Sequence, residues 1–189
     1  FKNISWIPGH PVAGTEKSGP LAGSSELFKN RWTILSPETN VKKEDVKKVS
    51  DIWESMGSKV KIMSVSEHDQ ILSLTSHLPH VIAYNIVKTS MSNGDKLKGD
   101  IIRYSAGGLR DFTRIAASDP VMWKDIFIDN SDLIIRAIEN FIKNLTEFKI
   151  AIQEKDSKKL LDIFIKSKEF REEIIKAGQD TDKPDFGRK

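Results

Sequence analysis

The fold class of this chain is decided by one stretch, WTILSPETNVKKEDVKKVSDIWESMGSKVKIM, which spans residues 32–63. It opens with a short apolar run at 32–35, which is typical of a buried strand, and closes with a second strand candidate at 60–63. Between them, apolar residues recur every three or four positions over 46–56, which is the spacing of an amphipathic helix. Strand, helix, strand is the order of an α/β domain.

From Ser66 onward the pattern becomes helical. Ser66 and Asp69 have the spacing of a capping box, which predicts that a helix begins there. Pro79 falls inside the long apolar stretch that follows and predicts a kink or a break in the helix. Asp119 and Pro120 combine an N-cap residue with proline at the first helical position. An all-helical part is therefore predicted to follow the α/β part.

Two long helices are predicted at the end of the chain, because apolar residues recur at helical spacing over 131–152 and 160–175. Gly178 marks the end of the second helix. The apolar faces are broad for so small a unit, which is typical of a helical bundle that continues across a subunit interface. The polar residues after Gln179 predict a loose tail.

Composition excludes several classes of protein. The 189 residues include 30 basic and 27 acidic ones, which alternate along the chain and leave a net charge of only +3, so nucleic-acid binding is not expected. The absence of cysteine excludes disulfides, thiol nucleophiles and cysteine-ligated metals. No apolar run approaches the ~18 residues that span a bilayer. We expect a cytoplasmic protein with no membrane or metal partner, whose natural start lies upstream of Phe1.

His10 lies in the stretch Pro8-Gly9-His10-Pro11, which predicts a turn after a strand, at the carboxyl edge of the sheet. Ligands bind at this edge in open α/β folds, and an imidazole of near-neutral pKa suits a general base. The alternative is a turn histidine whose ring bonds to the backbone. Local features do not separate the two interpretations.

Other polar residues also have a functional and a structural interpretation. His77 and His80 are three residues apart and can bind an anion or a metal, but a third metal ligand at suitable spacing is missing, and two packed helical histidines are favoured. Arg114 can clamp a carboxylate through its planar guanidinium or pair with Asp111 along the helix. The spacing of Trp123 favours the core over a cofactor site.

In combination, these motifs resemble the prephenate/arogenate (cyclohexadienyl) dehydrogenase family. The resemblance covers nearly the whole chain. Each motif alone is only modestly specific for the family, but together the motifs are highly specific. They are, in chain order, GHPVAGTEKSG at 9–19, His68-Asp69, SHLPH at 76–80, DFTRIAASDPVMW at 111–123 and AGQDT at 177–181.

The resemblance implies a fold in two parts. Residues 1–65 would be the C-terminal part of a Rossmann-type nucleotide domain, residues 66–180 an all-α dimerisation and substrate-binding domain, and 181–189 the tail. The glycine fingerprint of the nucleotide domain does not occur in the chain, so most of the site for NAD or NADP is expected outside it.

The resemblance also implies an activity, the NAD(P)-dependent oxidative decarboxylation of prephenate to 4-hydroxyphenylpyruvate or of arogenate to tyrosine, in a homodimer. His10 would be the base that deprotonates the substrate hydroxyl, and Arg114 would clamp a substrate carboxylate. Trp123 would reach the neighbouring subunit's site. The other substrate-binding residues would be Thr15, Glu16, His80, Gly107 and Asp111, with Ser76, His77 and His68 in support.

A rival interpretation is a non-catalytic helical dimerisation module that binds an aromatic acid. A strand, a GxGxxG turn and a helix upstream of this chain would favour the enzyme. The choice between NAD and NADP depends on a residue after the second Rossmann strand, which lies outside the chain. No residue decides between prephenate and arogenate.

Overall fold

A computed structural model describes residues 4–14, 19–92 and 95–179, apart from the side chains of residues 95 and 96. The chain divides into two compact units, with the division between residues 135 and 136. Thr15, Glu16 and the predicted tail at 181–189 lie outside the described residues.

The first unit contains a sheet of three strands in the order β1 (Gly9–Pro11), β2 (Trp32–Leu35) and β3 (Lys59–Ile62). The central strand β2 runs antiparallel to β1 and parallel to β3. Because β2 is paired on both sides, its residues 33–35 are buried. The prediction of a buried strand at 32–35 is confirmed.

Helix α1 (Lys43–Ser55) connects β2 to β3 and confirms the predicted strand, helix, strand order. The chain turns at Gly57, whose φ of +87° lies in the left-handed region that glycine adopts without strain. A Cβ atom at Gly57 would lie 3.3 Å from the Cα of Lys29, so a larger residue would also be crowded there.

The prediction of a turn at His10 was wrong, because His10 is the middle residue of β1 and is paired with Ile34. Hydrogen bonds from Ser36 N to Pro8 O (2.9 Å) and from Val12 N to Trp32 O (2.8 Å) extend the pairing at both ends. Prolines are tolerated here because β1 is the outer strand of the described sheet.

From Val65 onward the described chain is mainly helical, which confirms the predicted fold class of a partial nucleotide domain followed by a helical domain. The first unit holds α2 to α6 and the start of α7. The helices are α2 (Val65–Leu72), α3 (Leu78–Met91), α4 (Asp95–Arg103), α5 (Gly107–Ile115), α6 (Pro120–Asp129), α7 (Ser131–Gln153) and α8 (Ser157–Lys176).

The start of α2 differs from the prediction by two residues. Ser64, not Ser66, is the N-cap: its Oγ accepts a hydrogen bond from Glu67 N (3.2 Å), and the Glu67 carboxylate accepts one from Ser64 N (2.8 Å). The predicted capping box of Ser66 and Asp69 was therefore wrong. The reason is that β3 ends at Ile62, so Ser64 is the first serine able to cap.

The break expected at Pro79 is present as a π-helical turn over Ser73–His77, between α2 and α3. Leu78 N donates to Ser73 O, five residues earlier, and Pro79 falls in the first turn of α3, where its missing N–H costs nothing. The N-cap predicted at Asp119 is also confirmed, because its carboxylate accepts from Val121 N and Met122 N.

The second unit holds the greater part of α7 and all of α8. Phe148 and Phe164 pack edge to face with ring centroids 5.9 Å apart, and α8 ends before Gly178, which has a φ of +71°. Many large apolar side chains of this unit are exposed, namely Ile142, Leu145, Ile150, Ile152, Leu161, Phe164, Ile165 and Phe170. Within the described residues, no helix is both long and apolar enough to cross a membrane.

Candidate active site

A cavity of about 750 Å³ lies in the first unit. Its wall comes from three places: β1 with the loop after it, the segment from α2 to α3, and the junction of α5 and α6. The lining residues are His10, Val12, Ala13, Gly14, Gly19, Leu72, Ser76, His77, His80, Arg114, Ile115, Ser118, Asp119, Met122, Trp123 and Ile126.

His10 is joined to a second imidazole. Its Nδ1 lies 2.8 Å from Nε2 of His68, and Nδ1 of His68 lies 2.8 Å from Oδ1 of Asp69. Partial burial, and then the positive charge that His68 can carry, lower the pKa of His10 below its ordinary value. A neutral His10 ring is therefore favoured near neutral pH, as a proton acceptor requires.

His80 and Trp123 form a flat aromatic surface in the cavity wall. Their rings stack with centroids 3.5 Å apart and an angle of 21° between planes. His80 Nδ1 donates a hydrogen bond to Ser76 O (2.9 Å), so the neutral ring has its lone pair on Nε2. Burial lowers the pKa of His80, and the bond to Ser76 opposes this only in part.

Trp123 is only 6% exposed, which agrees with the core position that its spacing predicts. It also lines the cavity of its own chain. Among the described residues, nothing accepts a hydrogen bond from its buried Nε1. The part it plays in a neighbouring subunit's site stays a prediction.

His77 is oriented by Asn130, at the end of α6. The Asn130 side-chain amide lies 3.2 Å from His77 Nδ1 and donates to it, and it also donates to the backbone oxygen of Asp69 (3.2 Å). Burial is the largest of the effects that lower the pKa of His77. In the described part of the chain, no three His, Cys, Asp or Glu side chains are grouped to hold a metal ion.

Arg114 brings a permanent positive charge to the cavity wall. Its Nε lies 4.0 Å from Asp111 Oδ1, at the outer limit of an ion pair, and both side chains are about half exposed. An exposed pair at this distance is weak.

A smaller cavity of about 220 Å³ also borders His10, and Ile34 and Ser36 line it at the carboxyl end of β2. Ligands bind at this end of parallel strands in open α/β sheets. Its volume is below the ~300–1,000 Å³ of cavities that take whole small molecules, so it fits part of a ligand. It is lined by Pro8, Gly9, His10, Ile34, Ser36, Val65, His68 and Asp69.

The structure brings most of the predicted residues together. His10, Ser76, His77, His80, Arg114 and Trp123 all line the large cavity, and His68 stands behind His10. Gly107 and Asp111 are on α5 but outside the cavity wall. Thr15 and Glu16 lie outside the described residues, so their substrate-binding roles stay predictions.

Asp69 and Asn130 were given no role in the site on the basis of the sequence. Asp69 was assigned to a helix cap, although its position directly after His68 was the available signal. The contact of Asn130 with His77 spans 53 residues and has no local signature. In chemical terms, a neutral imidazole, a guanidinium and a flat aromatic surface suit an anion that carries a ring and loses a proton.

Comparison with known families gives two matches in chain order. The model described as "Prephenate dehydrogenase, nucleotide-binding domain" matches residues 1–62, and the one described as "Prephenate dehydrogenase, dimerization domain" matches residues 64–166.

Individual relatives agree with these matches. The chain is 41% identical over 165 residues to a cyclohexadienyl dehydrogenase of Zymomonas mobilis, covering 87% of this chain and 56% of that protein. It is 33% identical over 167 residues to a prephenate dehydrogenase of Bacillus subtilis, covering 88% and 45%. The chain thus spans about half the length of these relatives.

A solved structure is also similar. It is prephenate dehydrogenase from Aquifex aeolicus in complex with hydroxyphenyl propionate and NAD+, with a TM-score of 0.82 and 39% identity. The match covers 89% of this chain and 58% of that one.

Proposed function

The chain belongs to the prephenate dehydrogenase family, and on that premise we propose that the protein oxidises and decarboxylates prephenate or arogenate, with a nicotinamide dinucleotide as hydride acceptor. One observation carries the proposal. His10, with its lowered pKa, and Arg114, with its permanent charge, line the same cavity. The named relatives, and the NAD+ and hydroxyphenyl propionate bound in the Aquifex structure, support the choice of reaction.

The proposed step begins at the substrate hydroxyl. The substrate ring carries a hydroxyl at C4 and a carboxylate at C1. His10 accepts the hydroxyl proton while a hydride leaves C4, so the oxygen becomes a ring carbonyl. The bond between C1 and the carboxylate then breaks, carbon dioxide departs, and its electron pair makes the ring aromatic. The phenolate oxygen recovers the proton from His10.

The other cavity residues hold the substrate in this scheme. Arg114 binds a substrate carboxylate, because its planar guanidinium matches the two carboxylate oxygens. The stacked pair of His80 and Trp123 provides a flat surface for the ring. Asp111 acts on Arg114 rather than on the substrate, since it stands outside the wall. Roles for Thr15, Glu16 and Gly107 stay predictions.

The dinucleotide would accept the hydride that leaves C4. Among the described residues, those around the small cavity beside His10 fit only one end of such a molecule, because of its volume. No phosphate-binding glycine loop occurs in the chain. We propose that most of the dinucleotide site is built by residues outside this chain. The choice between NAD and NADP stays open.

A homodimer is proposed as the second part of the function. The second unit exposes large apolar side chains along α7 and α8, which is typical of an interaction surface. The matched model over 64–166 is described as a dimerization domain.

The domain boundary at 65/66 is also proposed on the basis of the family models, because the two models meet between residues 62 and 64. A cytoplasmic location stays a prediction.

The test is a turnover assay on the full polypeptide that the gene encodes, which contains this chain. It is offered prephenate or arogenate, each with NAD+ or NADP+. We expect one substrate to give reduced dinucleotide and carbon dioxide in equal amounts, and the preferred pair to identify substrate and cofactor. No turnover with any pair would contradict the proposal and favour a non-catalytic module that binds an aromatic acid.

A further inference from the structure

We propose that His68 and Asp69 are positioning residues that fix the proton of His10 on Nδ1 and leave Nε2 as the nitrogen that accepts the substrate proton. This inference rests on the proposed function, in which His10 is the base. It adds to that function the reason why His10 can accept a proton on Nε2.

The geometry is a chain of two short contacts. His10 comes from β1 and His68 from the first turn of α2, and their ring nitrogens are 2.8 Å apart. The rings meet edge to face, with centroids 5.1 Å apart and planes at 67°. His68 Nδ1 and the Asp69 carboxylate, also 2.8 Å apart, complete the chain. Both distances are those of strong hydrogen bonds.

The direction of each bond follows from what each group can donate. An ionised carboxylate only accepts, so His68 Nδ1 must carry a proton and donate it to Asp69. A neutral His68 then has its lone pair on Nε2. His10 Nδ1 must therefore carry the proton that lies between the two rings. In a neutral His10 this leaves the lone pair on Nε2.

The opposite arrangement would disable the base. If a neutral His68 carried its proton on Nε2, that nitrogen would donate to His10 Nδ1, and His10 would keep its proton on Nε2. The unprotonated Nδ1 of His68 would then face the Asp69 carboxylate, and two acceptors would lie 2.8 Å apart. Charging both rings is disfavoured, because the charge on His68 and partial burial each lower the pKa of His10. The titratable groups around the pair are His68, Asp69 and His77. Asp69 is the one among them that selects the productive arrangement.

The fold itself holds the His10–His68–Asp69 hydrogen bonds in place, without a ligand in the cavity. The Ser64–Glu67 capping box fixes the first residue of α2 directly after β3, and thereby sets where His68 falls. The backbone oxygen of Asp69 accepts a hydrogen bond from Asn130, which ties α2 to the end of α6. The His68 side chain is only 21% exposed. The pair is therefore built before substrate arrives.

The first test reads the tautomer directly. Long-range ¹H–¹⁵N spectra of ¹⁵N-histidine-labelled protein, the same polypeptide as in the turnover assay, are recorded in mildly alkaline solution. The His10 signals are assigned by their loss in His10→Asn. We expect His10 protonated on Nδ1 in the wild type, and a shift toward Nε2 protonation in Asp69→Asn, because an amide can donate to His68 Nδ1 and reverse the chain.

The second test uses kinetics and rescue. We expect Asp69→Asn and His68→Phe to lower kcat about 10- to 100-fold, similar to the cost of losing a partner that orients a metal-binding imidazole, with KM little changed. His68→Gln should retain most of kcat, since its amide oxygen can accept the His10 Nδ1 proton. Asp51→Asn, which removes an exposed carboxylate on α1, is the matched control and should behave as wild type.

Two results would overturn the inference. One is a wild-type His10 that is protonated on Nε2. The other is an Asp69→Asn variant with wild-type tautomer and wild-type kcat. The tautomer measurement needs no turnover, so a failed turnover assay with His10 protonated on Nδ1 would refute the proposed function and leave the positioning intact.

Discussion

The residues of the cavity differ in the charge that they carry near neutral pH. Burial lowers the pKa of His10, His77 and His80, so these rings favour the neutral form near neutral pH. Arg114 keeps its charge at every working pH. Proton acceptance and anion binding are therefore assigned to different side chains, and a change of either residue should affect a different kinetic constant.

Arg114→Ala is expected to weaken substrate binding. Charge-assisted hydrogen bonds contribute about 1.5–3 kcal/mol each, so the KM for the preferred substrate should rise about 10- to 100-fold, with a smaller effect on kcat. Steady-state kinetics measures this. Arg110→Ala is the matched control, because it removes the same charge from α5 at a position outside the cavity wall. An unchanged KM in Arg114→Ala would contradict the clamp.

Individual elements were predictable where local pattern decides them. The strand at 32–35, α1 and α8 follow from apolar spacing and, for α8, from Gly178, and all are present. β1 was missed, because a three-residue strand that contains a proline is stabilised by pairing with β2, more than twenty residues away. The pattern of residues 95–103 gave no helix prediction, yet α4 forms there.

The site could be predicted only in part, because its contacts also join residues that are far apart in the sequence. Local features made His10, His80 and Arg114 candidates and the resemblance gave them roles, and the large cavity does bring them together. The bond between His10 and His68 joins residues 58 apart on β1 and α2. Its existence depends on the exact start of α2, which sequence analysis placed two residues too late. Spacing along a chain carries no information about such a contact.

At the scale of the whole molecule, the exposed apolar residues of α7 and α8 lead to an oligomer prediction. We expect a dimer in light scattering, and we expect Phe170→Glu, at a residue 65% exposed in the single chain, to weaken it. Loss of one buried aromatic contact, about 1.5–3 kcal/mol, should raise the dissociation constant about 10- to 100-fold.

Lys168→Glu is the matched control, since it introduces the same acid at an exposed polar position of α8. It should stay dimeric. A wild-type protein that is monomeric at assay concentration would contradict the interface.

The central claim is that His10 takes the substrate proton. The measurement that tests it most directly is kcat of His10→Asn against wild type, with the preferred substrate and cofactor at saturation and with substrate affinity measured separately. Asparagine still forms hydrogen bonds but does not act as a base, so we predict a fall in kcat of about 10²–10⁴ with little change in affinity. A variant that turns over within a few-fold of wild type would contradict the claim.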